Sequence, residues 1–222
     1  MALTSYPEIE AGAILLCWRS NDAQGAAKVL EKYLPTLARP LFTLLPGPQA
    51  EVMATIPLFE ELGFCLDHIC LEMLLTQIPQ VTMPPGIKSG QDLNFSALAA
   101  LDLVHFPQHG QDQETLSSRA LAPDWQVLCL EIERDLAEMA VGQVYGPSNS
   151  HLFILSLAVD AKFRRMGLGR KLMQGLFWWA KTQGAQKSML WLGGGEKNPV
   201  ARSLYESLGY YVRDCEAQLS LR

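Results

Sequence analysis

Between Phe163 and Met173 the chain reads "FRRMGLGRKLM". Gly167 and Gly169 stand one residue apart. Arg164, Arg165, Arg170 and Lys171 bring a charge of +4 into eight residues of a protein whose net charge is −5. An apolar-periodic stretch follows, so these glycines and cations open a helix. A helix N-terminus presents unpaired N–H groups and roughly half a unit of positive charge. Glycine allows positive φ and close approach of the backbone to an anion. A diphosphate suits such a turn, and so does a tight basic turn with a purely structural purpose. It is neither of two familiar phosphate loops. The third glycine of GxGxxG would fall at Leu172, and no GK[ST] follows.

A second chemical group lies on "NPVARSLYESLG". Asn198 is placed as a helix cap, Pro199 at the first helical position and Gly209 past the end. Tyr205 also lies on this helix.

These residues need a frame. "HLFILSLAV" (151–159) is a continuous apolar run, expected as a central strand buried on both faces. After Leu168, the residues Leu172, Met173, Leu176, Phe177 and Ala180 trace one helical face, and Gly184 ends it. "SMLWL" and "YYVRDCEAQLSLR" read as strands. Upstream, "WQVLCLEIE" and "DLAEMAVGQVYG" read as strands joined near Arg134 and Asp135. Residues 93–104 are helical in period. The fold class is therefore mixed α/β with at least one parallel crossover.

The pair "LSLAVDAKFRRMGLGRKLM" and "WLGGGEKNPVARSLYESLGY", in this order and at this spacing, resembles the GNAT superfamily of acyl-CoA-dependent N-acetyltransferases. The family pattern [Q/R]-x-x-G-x-[G/A] is matched by Arg164-Arg165-Met166-Gly167-Leu168-Gly169. The pattern N-x-x-A-x-x-L-Y-x-x-x-G-[FY] is matched from Asn198 to Tyr210. The resemblance covers roughly residues 86–222, with "GQDLNFSALAALD" as the opening strand-to-helix segment.

That resemblance implies a mixed sheet flanked by helices and acetyl-CoA as cosubstrate, with no metal. The pyrophosphate would rest on the N–H groups of Met166, Gly167, Leu168, Gly169 and Arg170, with Arg164 and Arg165 beside them. The pantetheine arm would pair with the strand edge near Leu157, Ala158 and Val159, where the 151–159 and 188–192 strands splay. Asn198 would hydrogen-bond the arm. The N–H of Leu157 or Ala158 would face the developing oxyanion, and Tyr205 would protonate the leaving thiolate. The family's glutamate before the Asn motif is absent, because Gly193-Gly194-Gly195 stand there. Glu131, Glu133, Glu138, Glu196, His151 or a water relay remain as routes for the amine's proton. The acceptor is an amine of a small molecule or protein. A non-catalytic acyl-CoA-binding regulatory module is the alternative.

Composition narrows the classes further. A pI near 5.4 argues against nucleic acid as a partner. No apolar run approaches the ~20 residues that span a bilayer, so no membrane is expected. Five scattered cysteines without a CxxC pair fit a reduced cytoplasmic protein. The N-terminus lacks a basic segment before its apolar run and does not read as a signal peptide.

The first 78 residues echo the C-terminal part. "LFEELGF" (58–64) aligns with "LYESLGY" (204–210), and strand, helix, strand, helix, "LG[FY]", strand occurs twice. We expect residues 1–78 to be a degenerate half of a GNAT unit without a coenzyme site, 79–85 a linker, and 86–222 the catalytic domain.

Overall fold

The computed structural model describes residues 14–17, 23–34, 41–107, 109–194 and 198–221. Ser20, Asn21 and Asp22, which the sequence predicts as helix-cap residues, and Glu196 lie outside them. The chain divides into two compact units: residues up to Met73 with Trp191–Ser203 and Tyr211–Arg222, and Leu74–Leu190 with Leu204–Tyr210.

The first unit begins with β1 (Ile14–Cys17), α1 (Ala23–Tyr33), β2 (Leu41–Gly47), α2 (Gln49–Glu60) and β3 (Cys65–Leu75), and is joined by β9 (Tyr211–Leu221). Its strands run in the order β1-β2-β9-β3. β1 is parallel to β2, and β2 is antiparallel to β9 from Leu41–Leu221 to Gly47–Cys215. α2 continues through Pro57 and buries Val52, Ile56 and Phe59. Phe59 meets Phe64 edge-on at 5.7 Å. β3 is one strand of 11 residues, where the sequence predicts strand, bend, strand. Its polar residues find cross-strand partners instead of breaking it. Asp67 accepts from the Ser220 hydroxyl at 2.9 Å, and Glu72 pairs with Arg213.

The second unit holds β4 (Lys88–Ser89), α3 (Phe95–His105), α4 (Gln113–Leu121), β5 (Trp125–Ile132), β6 (Asp135–Tyr145), β7 (His151–Val159), α5 (Leu168–Thr182) and the start of β8 (Lys187–Gly193). The strand order is β8-β7-β6-β5-β4. The β5–β6 hairpin turns on Glu133 and Arg134, both with positive φ, as a two-residue turn requires. Val127, Cys129, Met139, Val141 and Ala158 form one sheet face and pack with Leu98, Leu101 and Leu116 of α3 and α4. The other face meets α5. A Cβ on Gly142 would lie 3.2 Å from Leu176 of that helix.

β7 corrects one expectation. It alternates between buried and half-exposed residues and is not buried on both faces. Its register with β6 slips between Val141–Ser156 and Gly142–Ile154, leaving Leu155 as an extra residue. Side chains alternate with period 2, so the bulge reverses the phase. Ile154 shares the α5 face with Gly142, whereas Ser156 shares the α3/α4 face with Val141. Leu157 and Val159 then return to the α5 face, above the start of that helix.

Strand, helix, strand, helix, strand occurs twice in chain order, and the first strand pair of each set is parallel. α6 (Pro199–Ser207) precedes β9 as α2 precedes β3. The Pro-rich stretch after β3 is partly anchored in the second unit. Ile78 is buried and its N–H donates to the Gln186 carbonyl at 2.7 Å. Ile87 and Met83 stand over Gly175 of α5.

Candidate active site

The site is assembled where β7 ends and α5 begins. Parallel pairing of β7 with β8 runs from His151–Lys187 to Ile154–Leu190 and stops there. Among the described residues, the register on that edge of β7 does not extend to Leu155–Val159, while the β6 side stays paired through Val159–Glu138. The result is a backbone edge able to take an extended, peptide-like ligand.

Asp160 closes the strand. Its N–H donates to the Ala137 carbonyl at 2.9 Å, and its carboxylate accepts from the Lys162 N–H at 2.8 Å. The chain then passes through a short 3-10 turn, Ala161–Phe163, into Arg164. Arg165 has φ +64 and Gly167 φ +76. Left-handed residues next to right-handed ones turn successive N–H groups into one concavity. Arg165 is not glycine, so it carries a strain of about 1–2 kcal/mol. Strain of that kind collects at ligand clamps.

Gly167 is the residue before α5, and no side chain caps the helix there. A Cβ at Gly167 would meet nothing within 4 Å. Leu168, Gly169 and Arg170 open the helix, and the N–H groups of a first helical turn have no intrahelical partner. This is the cradle that a diphosphate needs, and the residues fit that group. Gly169 also has a packing role that its spacing does not announce. A Cβ there would lie 3.0 Å from Leu204 of α6 and 3.4 Å from a Glu138 oxygen. The absent side chain lets α5 approach α6.

Arg164, Arg165 and Arg170 are exposed and Lys171 is half-buried. The Arg164 Nε–H donates to the Val159 carbonyl at 3.4 Å, tying the turn back to β7. Arg170 donates to the Ser207 hydroxyl at 2.6 Å, so its head is directed to α6. Met166 is exposed and Leu168 buried.

Tyr205 lies one residue beyond Leu204, buried and edge-on to Tyr210 at 5.8 Å. Burial first, and the Glu138 carboxyl second, push its hydroxyl well above the usual phenol range. Tyr205 is thus protonated at any working pH, the state an acid requires. Tyr210 shares its hydroxyl with Ser188 at 2.6 Å.

β7, the basic turn and Tyr205 fall together in the second unit, whereas Asn198 belongs to the first. Asn198 is exposed and caps α6, its side-chain oxygen accepting from the Ala201 N–H at 3.4 Å. The remaining proton-acceptor candidates separate sharply. Glu131 is bound to Lys88 at 2.6 Å, Glu133 is exposed in the hairpin turn, and His151 shares a hydrogen bond with Ser150 at 2.9 Å. Glu138 is fully buried without a hydrogen-bond partner. Burial pushes its carboxyl up to about 8, against the pull of Lys171. It is mostly protonated at pH 7.

A polar group on the α3/α4 face was not legible in the sequence. Asp102 is buried and accepts from the Gln111 N–H at 2.8 Å, and the Gln111 amide reaches Ser156 at 3.4 Å. Arg119 binds the Gln111 side-chain oxygen and stacks on Trp125 at 4.1 Å. His105 lies beside Val159 and Arg164. Burial and the Arg164 charge hold it below its ordinary value, with the Val159 carbonyl opposing. These residues come from four elements, and no local spacing announces them.

Similarity to known proteins agrees with this geometry. The family model described as "Acetyltransferase (GNAT) family" matches residues 96–210. No curated protein matches the chain. Among solved structures, a GCN5-related N-acetyltransferase from Sphaerobacter thermophilus has 17% identity and a TM-score of 0.58. It covers 89% of this chain, which spans 65% of that protein. A GNAT-family acetyltransferase from Colwellia psychrerythraea has 13% identity and a TM-score of 0.58, with coverage of 97% and 75%. A putative acetyltransferase of the same family from Novosphingobium aromaticivorans has 20% identity and a TM-score of 0.56, with coverage of 89% and 80%. At these identities the structures speak to the fold alone. With more than half of its length matched by the family model, the chain belongs to the GNAT family of acetyltransferases.

Proposed function

We propose that this protein transfers an acetyl group from acetyl-CoA to an amine of a small molecule or protein. The observation that carries this reading is the uncapped first turn of α5 beside the unpaired edge of β7, with Tyr205 held one residue past the α5–α6 contact.

Acetyl-CoA, when bound, supplies an acyl thioester. Gly167, Leu168, Gly169 and Arg170 would hold its diphosphate through backbone N–H groups, with Arg164 and Arg165 adding charge. The backbone of Leu157, Ala158 and Val159 would align the pantetheine amides along the β7 edge. An N–H of Leu157 or Ala158 would stabilise the negative charge that develops on the carbonyl oxygen as the amine attacks. The C–N bond forms, the C–S bond breaks, and Tyr205 gives its proton to the departing sulfur. The amine's own proton leaves to water. We place the protein in the cytoplasm and give it neither nucleic acid nor membrane as a partner. We also take residues 1–78 as a degenerate half-unit that carries no second coenzyme.

The test is a panel of amine acceptors with acetyl-CoA and detection of released thiol. Release that depends on the acceptor supports the enzyme. Tight acetyl-CoA binding with no release for any amine supports a regulatory acyl-CoA-binding module.

A further inference from the structure

The sheet face under α5 holds one carboxyl that the proposed reaction does not use. Glu138 sits in β6 opposite Val159, the last residue of β7. It is fully buried, and neither of its oxygens has a hydrogen-bond partner. One of them lies under the first turn of α5, 3.4 Å from where a Gly169 Cβ would stand. A buried carboxylate without partners is costly, and a neutral carboxyl in the same place is tolerated. The groups around it do little to offset that. Leu130 of β5 and Leu157 and Val159 of β7 share its sheet face and carry no charge. Tyr205 of α6 is neutral, and Lys171 of α5 is the cation that favours ionisation. The Lys171 ammonium lies 3.8 Å from where a Gly86 Cβ would be, near Leu130.

We propose that Glu138 is a protonic latch on the diphosphate site: an acyl coenzyme binds tightly while this carboxyl is neutral, and loses affinity when it ionises. The proposal rests on the coenzyme site described above. A diphosphate over the first turn of α5 places negative charge above Glu138 and makes its ionisation harder still. By reciprocity, ionised Glu138 weakens the diphosphate to the same degree. One unit of pKa rise on binding corresponds to about a tenfold difference in affinity between the two charge states. The free protein ionises Glu138 near pH 8. Binding at pH 8.5 therefore takes up a proton.

The experiment is calorimetry of acetyl-CoA with the full chain from pH 7.0 to 9.5 at constant ionic strength. Acetyl-CoA carries no free thiol, and its phosphates have lost their protons by pH 7. The dissociation constant is expected to rise about tenfold across the range. In Glu138→Gln it should stay flat and lie below that of the parent at pH 9.5. A second measurement needs no variant. Binding heats at pH 8.5 in two buffers of different ionisation enthalpy should report proton uptake. A flat profile in the parent, an equal slope in both proteins, or no proton uptake would overturn the latch. Absence of binding at every pH would refute the coenzyme site itself, and the latch with it, and is distinguishable from the other results.

Discussion

Gly169 and Leu204 mark the point where α5 and α6 meet, at a distance that crowds a methyl group on the glycine. Two residues earlier, Gly167 faces open space and is required by its left-handed backbone. The two glycines of one motif thus do separate things. One places Tyr205 beside the turn, and the other shapes the turn.

Valine substitutions should separate these roles. Gly169→Val should destabilise the protein by about 1–3 kcal/mol through overpacking against Leu204. Gly167→Val should cost about 1–2 kcal/mol from the left-handed conformation and little from packing. Paired denaturant titrations, with acetyl-CoA binding measured on each variant, check this. Stability loss at Gly167 as large as that at Gly169, with binding intact, would reverse the assignment.

Glu138 links stability to pH. Its carboxyl is raised from about 4.5 in the open chain to about 8 in the folded protein. Between those values the native state holds a proton that the unfolded state has released. Stability is therefore fully present below pH 4.5 and is lost as the pH rises through 8. Glu138→Gln should remove that dependence and gain a few kcal/mol at pH 9 relative to pH 5. Urea titrations of both proteins at these two pH values would show it. Equal slopes with pH in both would mean that Glu138 does not titrate.

Tyr205→Phe keeps the ring and its contact with Tyr210 and loses only the hydroxyl. A general acid contributes about 10²–10⁴-fold. The coenzyme thiol leaves readily, so the lower end, about 10²-fold in kcat, is expected. Acetyl-CoA affinity should change little. Full activity with chemistry rate-limiting would remove Tyr205 from the mechanism, and equal losses in kcat and binding would make it a positioning residue.

The segment over α5 offers a separate check. A Cβ at Gly175 would lie 2.8 Å from Ile87 and 3.0 Å from Leu128. Gly175→Val should lift residues 83–87 from the helix, and tryptic cleavage after Lys88 should speed up. An unchanged cleavage rate would mean that Ile87 is not what holds this segment down.

Much of this architecture was legible because its signals are local. The helix after the basic turn shows a clean 3.6 period, and Gly63, Gly184 and Gly209 all end helices with positive φ. α4 escaped because "QETLSSRAL" buries Leu116 alone and leaves no apolar stripe. Its cap, Asp112, accepts from the Thr115 N–H at 2.7 Å and was the one available sign. The bulge at Leu155 was hidden because an apolar run looks the same in either phase. Glu138 was visible as a carboxyl on a strand, but its burial depends on α5 covering it from 30 residues away. The Asp102, Gln111, Arg119 and Ser156 group likewise needs three elements and a loop to be folded before it exists.

A coenzyme site at the start of α5 stands or falls on calorimetry of acetyl-CoA at pH 7 with the parent and with Gly167→Val. The parent should bind in the micromolar range, about −8 kcal/mol. The variant should bind clearly more weakly while still unfolding cooperatively. No binding by the parent at any salt concentration, or equal affinity in the two proteins, would contradict a coenzyme site at the start of α5.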